Sequence, residues 1–109
     1  MAGIPQIPPA EAQRLLAERG SNGILLDVRE PSEYERVHVE GSLHIPMGQI
    51  GQRLGELDSG HTYVVMCHHG ARSQQVALFM ASRGYGQVSN LAGGIDAWAA
   101  DLDPRLPRY

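Results

Sequence analysis

Apolar positions along the chain fall into short runs punctuated by Gly and Pro, and the runs alternate between two periodicities. Residues 3–7 predict a short edge strand, since Pro5 is tolerated only at a sheet edge. Pro8 and Pro9 lead into residues 10–19, rich in helix formers, with Ala12, Leu15, Leu16 and Arg19 at helical spacing. Gly20, Asn22 and Gly23 supply a stop and a turn. Residues 24–28 form an apolar run interrupted by Asp27, the pattern of a central parallel strand with an acid near its carboxyl end. A short helix over 31–36, which Ser32 can cap, and a brief extended piece over 43–46 follow.

Met47, Ile50, Leu54 and Leu57 then predict a helix over 47–57, weakened by Gly48, Gly51 and Gly55. The clearest strand is 62–66, β-branched and aromatic. Ser73 opens a helix through the apolar run 76–81, which reads as core and stops at Gly84. Residues 88–90 give one more strand, and 95–100 a helix after Gly93-Gly94. Alternating strand and helix is the mark of a parallel sheet covered on both faces, an α/β fold.

Composition narrows the function classes. The 109 residues suit one domain, read here as 1–109 with a core of about 4–100 and a C-terminal tail of 101–109. No stretch approaches the ~20 apolar residues of a membrane span. The opening MAGIPQIPPA lacks the charged and apolar regions of a secretory signal. Nine cationic residues, all Arg, stand against 12 acidic ones, giving a net charge of −3. That balance, without a basic run, argues against nucleic acid as a partner. One Cys permits no internal disulfide, which fits a reducing cytoplasm.

The chemistry concentrates between the strongest strand and its following helix, in Cys67-His68-His69-Gly70-Ala71-Arg72-Ser73. Ligands of open α/β sheets bind just beyond the carboxyl ends of strands. A loop entering a helix there can curl its N–H groups around an anion, and the helix N-terminus adds partial positive charge. Gly70 permits the tight curl. A thiol at the bottom of that cradle is stabilised as thiolate, with Arg72 adding to the effect, and thiolate is the nucleophilic form. Free Cys is also a common small core residue. The strand exit beside Gly and Arg decides for the nucleophile.

Four segments together resemble the rhodanese homology domain of single-domain sulfurtransferases. Residues 26–34 (LDVREPSEY) are similar to its first box; His38, Gly41, Ser42, Ile45 and Pro46 resemble its second. Residues 67–73 match its active-site loop, and 91–98 (LAGGIDAW) resemble its closing box. The boxes stand in the family's order across nearly the whole chain. The resemblance implies a three-layer α/β/α fold with a parallel sheet of about five strands, the usual sheet size. It implies sulfane sulfur transfer from a small anionic donor such as thiosulfate, through a persulfide on Cys67, to cyanide, a cellular thiol or a thiol-bearing protein. His68, His69, Gly70, Ala71, Arg72 and Ser73 would bind the donor, Asp27 and Arg29 would support the loop, and no cofactor or metal is implied.

The same fold is similar to that of Cys-based phosphatases and arsenate reductases, whose loops place five residues between Cys and Arg. Here four residues separate Cys67 from Arg72, a narrower ring that suits sulfur over a tetrahedral phosphate. A persulfide relay or binding module is the other alternative, and the intact Cys and Arg argue against a dead one. Val37 and Leu43-His44 depart from the second box without touching the nucleophile. The interior His68-His69-Gly70-Ala71 matches neither the thiosulfate-type nor the mercaptopyruvate-type loop.

Other residues carry competing readings. Cys67, His68 and His69 can hardly converge on one ion, and no spaced Cys or His completes a metal set. His68 or His69 lines the pocket rim and tunes anion binding, or both are exposed without a role. Asp27 accepts N–H bonds from the loop or pairs with an Arg. Arg29 pairs with an acid such as Glu35, or makes an ordinary surface ion pair. Trp98 reads as packing, and Arg105 and Arg108 in the tail receive no function.

Overall fold

The structure is a computed structural model that describes residues 3–18, 20 and 22–109. Five parallel strands form one sheet: β1 (Gln6–Ile7), β2 (Ile24–Asp27), β3 (Leu43–His44), β4 (Tyr63–Met66) and β5 (Val88–Leu91), in the order β1-β5-β4-β2-β3. β4 lies at the centre, paired on one side with β2 and on the other with β5. The predicted first strand is indeed an edge. It keeps only two residues, in register with Asn90 and Leu91.

Strand alternation divides the core into two layers. From β4, Tyr63 and Val65 join Leu26, Val28, Val76, Ala77 and Met80 on one face. Val64 and Met66 join Ile7, Ala12, Leu25, Leu91, Ile95 and Trp98 on the other. The first face is covered by α4 (Ala71–Ser82) and by the segment of Ile50 and Leu57. The second is covered by α1 (Pro9–Ala17) and α5 (Gly94–Asp101). The fold is therefore the expected α/β/α sandwich. Trp98 packs in the second layer, as its sequence position suggested.

Several local expectations are corrected. The 47–57 helix is broken into a 3₁₀ turn (Met47–Gln49), one turn of α3 (Ile50–Arg53) and a second 3₁₀ turn (Leu54–Glu56). Glycine is a poor helix former, and three of them in that stretch prevent a continuous run. α2 (Pro31–Arg36) is capped by Glu30 rather than Ser32. Glu30 and Glu33 form a reciprocal capping box around Pro31 at the first helical position. The run 76–81 is not all core, because Leu78 is 50% exposed; helical period buries Val76, Ala77 and Met80, with Phe79 partly buried beside them. Arg19, predicted at the end of α1, lies outside the described residues.

Candidate active site

β2 and β4 are adjacent, yet the chain leaves β2 toward β3 and leaves β4 toward β5, on opposite sides. Where strand order reverses in this way, a crevice opens beyond the carboxyl ends. Cys67 follows β4 and Arg29 follows β2, so both candidate segments reach that crevice. Cys67 continues the β4 alternation and packs with Tyr63 and Val65 on the α4 side.

Gly70 then turns the chain. Its φ of +117° lies in the region that side chains avoid. α4 consequently begins at Ala71, two residues before the Ser73 start expected from sequence. The turn aims amides back at the sulfur: Gly70 N–H donates to Cys67 Sγ at 3.0 Å. Ala71, an expected binding residue, offers only backbone here, as any Ala must.

The carbonyls of the same loop point the other way. Cys67 O accepts from Ile95 N–H at 2.8 Å, and His68 O accepts from Asp96 N–H at 3.2 Å. The N-terminus of α5 thus holds the loop's oxygens, leaving its N–H groups turned inward. Gly94 makes that approach possible. A Cβ there would lie 2.3 Å from His68 O and 2.5 Å from Cys67 O.

Cys67 is 1% exposed. Burial is the largest influence on its thiol and pushes its pKa up. The Ser73 hydroxyl and the backbone N–H groups of Ser73, Gly70 and Arg72 oppose this and prevail, so the net direction is downward. Although the side chain adjoins apolar core, polar hydrogens rather than carbonyl oxygens face its sulfur. Ser73 Oγ stands 3.3 Å from Sγ and 2.5 Å from Asn90 Oδ1, and its single proton can serve one of them at a time. Asn90 is held by its amide N–H groups, which donate to Gln6 Oε1 at 2.8 Å and Gly70 O at 3.0 Å.

Arg72, an expected donor-binding residue, has an acidic partner in the structure. Its guanidinium grips Glu33 with two bonds, 2.6 and 3.0 Å long. The Arg72 bond is the largest influence on Glu33 and, with the Tyr109 hydroxyl and Glu30 N–H, holds its carboxyl down at about 2 against burial. Reciprocally, Glu33 raises the pKa of Arg72.

Arg29 is fully buried, and its partner is Asp27, not Glu35. Nε and Nη2 donate to the Asp27 carboxylate, the shortest contact being 2.7 Å, and Arg29 N–H donates to Asp27 Oδ1 at 3.0 Å. Of the two roles expected for Asp27, pairing with an Arg is the one realised. Residues two apart at a strand end share a face, which brings this pair together. The remaining guanidinium hydrogens go to Val37 O at 2.7 Å, Glu33 O at 3.2 Å and the Tyr109 hydroxyl oxygen at 2.7 Å. His44, one of the departures from the second box, places Nε2 2.8 Å from Arg29 O and stacks on Tyr34.

His68 and His69 occupy the outer side of the loop. The His68 ring is sandwiched between Tyr109 and His69, with centroids 3.9 Å away on each side. His69 Nε2 lies 3.8 Å from Asp96 Oδ2. Cys67 does not join the two histidines, but His68, His69 and Asp96 place three potential ligand atoms within 4.8 Å of one another. The arrangement nevertheless suits stacking better than coordination. Rings tilted by only 31° aim their in-plane lone pairs side by side, and Arg108 already binds the Asp96 carboxylate at 2.9 and 3.0 Å.

The segment after α5, where no function was expected, is packed against the site through Arg108 and Tyr109. Glu33, Asn90 and Tyr109 are thus site neighbours that sequence reasoning missed. For Glu33 the E-P-S-E capping pattern was a signal, since it fixes where that side chain points. Tyr109 lies 80 residues from Arg29, and no local pattern announces such a contact.

Comparison with known proteins agrees with this geometry. The family model of the rhodanese-like domain matches residues 8–101. The chain is 34% identical to the thiosulfate sulfurtransferase GlpE of Pseudomonas syringae, over 90% of each. It is 36% identical to a Bacillus subtilis protein named "Putative sulfur carrier protein YrkF", covering 94% of this chain and 55% of that protein's length. Among solved structures, the rhodanese-related protein of Thermoplasma volcanium superimposes with a TM-score of 0.81 at 26% identity, over 96% of this chain and 99% of the other. The Cys67–Ser73 loop, the order of the boxes, the sheet topology and the family match converge: this chain belongs to the rhodanese-like domain family.

Proposed function

We propose that this chain, acting as one unit over residues 1–109, is a thiosulfate sulfurtransferase-like enzyme that carries sulfur on Cys67. The thiolate attacks the outer, sulfane sulfur of a donor such as thiosulfate. A new S–S bond forms to Cys67 as the donor's S–S bond breaks, and sulfite departs with the electron pair. Cyanide or a cellular thiolate then attacks the terminal sulfur of the persulfide, and Cys67 leaves as thiolate with its pair. The observation that carries this reading is the set of inward N–H groups around Sγ, from Gly70, Arg72 and Ser73, joined by the Ser73 hydroxyl. They stabilise negative charge on the attacking thiolate and, afterwards, on the persulfide.

The fully covered sulfur requires the loop to yield as a donor enters, which favours a compact, reactive sulfur atom. The four-residue spacing between Cys67 and Arg72 weighs against phosphate or arsenate chemistry for the same reason. No second Cys exists to resolve the persulfide within the chain, so it is unloaded on an external acceptor. The carrier relative favours a second reading, in which that acceptor is a thiol-bearing partner protein and turnover with cyanide is slow. Among the described residues, no helix is long and apolar enough to cross a membrane. A nucleophile that must stay reduced suits the cytoplasm.

Intact mass after incubation with thiosulfate, followed by thiocyanate release on adding cyanide, tests the reading. The parent gains one sulfur atom and releases it; Cys67→Ser gains none. A parent that takes no sulfur from any sulfane donor, yet hydrolyses an aryl phosphate, reverses the assignment. Loading with fast discharge to a protein thiol but poor discharge to cyanide selects the carrier reading.

A further inference from the structure

Charge around the candidate loop is arranged against its simplest use. Arg72 is the cation of the loop, and its guanidinium is engaged by Glu33 through both nitrogens. The Glu33 carboxylate is itself held from the far side. Tyr109 O–H donates to Glu33 Oε2 at 2.8 Å, while the phenol oxygen accepts from Arg29 Nη1 at 2.7 Å. Arg29 is buried and bonded to Asp27, Val37 O and Glu33 O. The Tyr109 ring lies flat on His68, with planes 5° apart. Beside it, Arg108 binds Asp96, whose N–H holds the carbonyl of His68. The segment that carries Arg108 and Tyr109 therefore grips both the loop and the carboxylate that neutralises the loop's Arg.

We propose that Tyr109 is a positioning residue for this site: by fixing Glu33 on Arg72, it sets how much positive charge an incoming anionic donor meets. This rests on the sulfurtransferase reading for its biological meaning, but its physical content concerns only the field at Cys67. With Glu33 clamped, the guanidinium is largely compensated and a dianion such as thiosulfate is drawn in weakly. When the clamp loosens, Arg72 can turn from Glu33 toward the donor. Tyr109 then acts on donor capture, the KM side, more than on the sulfur-transfer step itself. The bland alternative is that Tyr109 merely packs, in which case its loss lowers stability and leaves selectivity between anionic and neutral reagents unchanged.

The lone Cys makes the test direct. Alkylation rates of the whole protein are measured with iodoacetate, an anion, and iodoacetamide, its neutral counterpart; the ratio cancels differences in access and thiolate fraction. Tyr109→Phe keeps the ring over His68 and removes only the hydroxyl, and Glu33→Gln removes the compensating charge. Both are expected to raise the iodoacetate/iodoacetamide ratio by roughly threefold, short of the ~10-fold or more of a strongly charged cleft. The two effects should not add, since Tyr109 acts through Glu33. Thiosulfate KM should fall in parallel with little change in kcat. An unchanged ratio in Tyr109→Phe, or a Tyr109 effect that persists in full in the Glu33→Gln background, overturns the inference. A parent Cys67 that neither reagent reaches overturns both this inference and the sulfurtransferase reading. A reactive Cys67 that takes no sulfur, with the ratio still moving as described, overturns that reading alone.

Discussion

Gly94 lies so close beneath His68 that a Cβ at this position would stand 2.3 Å from the His68 carbonyl oxygen. That proximity lets the first amides of α5 bind the carbonyls of Cys67 and His68, which in turn leaves the loop's N–H groups facing the sulfur. Gly94 of the closing box thus helps to shape the anion cradle by packing against the backbone of Cys67 and His68. Gly94 also has a φ of +61°. Gly94→Ala is expected to cost on the order of 3 kcal/mol in urea unfolding, because backbone must move and cannot simply rotate away. In whatever folds, Cys67 should titrate at a higher pH than in the parent.

The Arg29–Asp27 pair gives a second expectation. Both side chains are completely buried, so removing one strands the other's charge. Arg29→Met and Asp27→Asn should each destabilise the fold by about 3–5 kcal/mol in chemical denaturation. An effect below about 1 kcal/mol, the range of a surface pair, would mean that the buried network is not formed in solution.

Glu33 supplies a pH dependence. Its carboxyl is held at about 2 against an ordinary 4.5, so the folded state prefers the ionised form. A depressed folded value means stabilisation that is complete above the unfolded value and is lost as pH falls through the folded one. The stability difference between the parent and Glu33→Gln should therefore be flat above about pH 5 and shrink toward about pH 2. Urea titrations across that range measure it, and a difference that is the same at every pH would contradict the Arg72–Glu33 bond.

Much of the fold was legible because its signals are local. The β4 run is apolar on both faces, as a central strand must be, and Gly70 beside Cys67 marked the turn. The loop's chemistry could be read from Cys, Gly and Arg in sequence. What escaped was set by distant contacts or by competing local rules. The helix over 47–57 had correct apolar spacing, but its glycines fragmented it. Ser32 has the chemistry of a cap, but Glu30, two residues earlier, forms the reciprocal pair with Glu33. An acid on the following helix, such as Glu35, is the evident sequence partner for Arg29, whereas the strand period places it beside Asp27. The Glu33 partner of Arg72 is 39 residues away, beyond the reach of any local pattern. Nothing in the pattern of residues 102–109 signals that Tyr109 stacks on His68.

Hydrogen-bond donors around Cys67 outweigh burial and shift its sulfur toward the ionised form. Titration of the single thiol, followed by thiolate absorbance or by alkylation rate against pH, tests it most directly, with Ser73→Ala alongside. The parent midpoint should fall below the ordinary thiol range, and loss of the Ser73 hydroxyl, the largest of the lowering influences, should move it upward. A parent midpoint at or above that of a free thiol, unmoved by Ser73→Ala, would contradict the account.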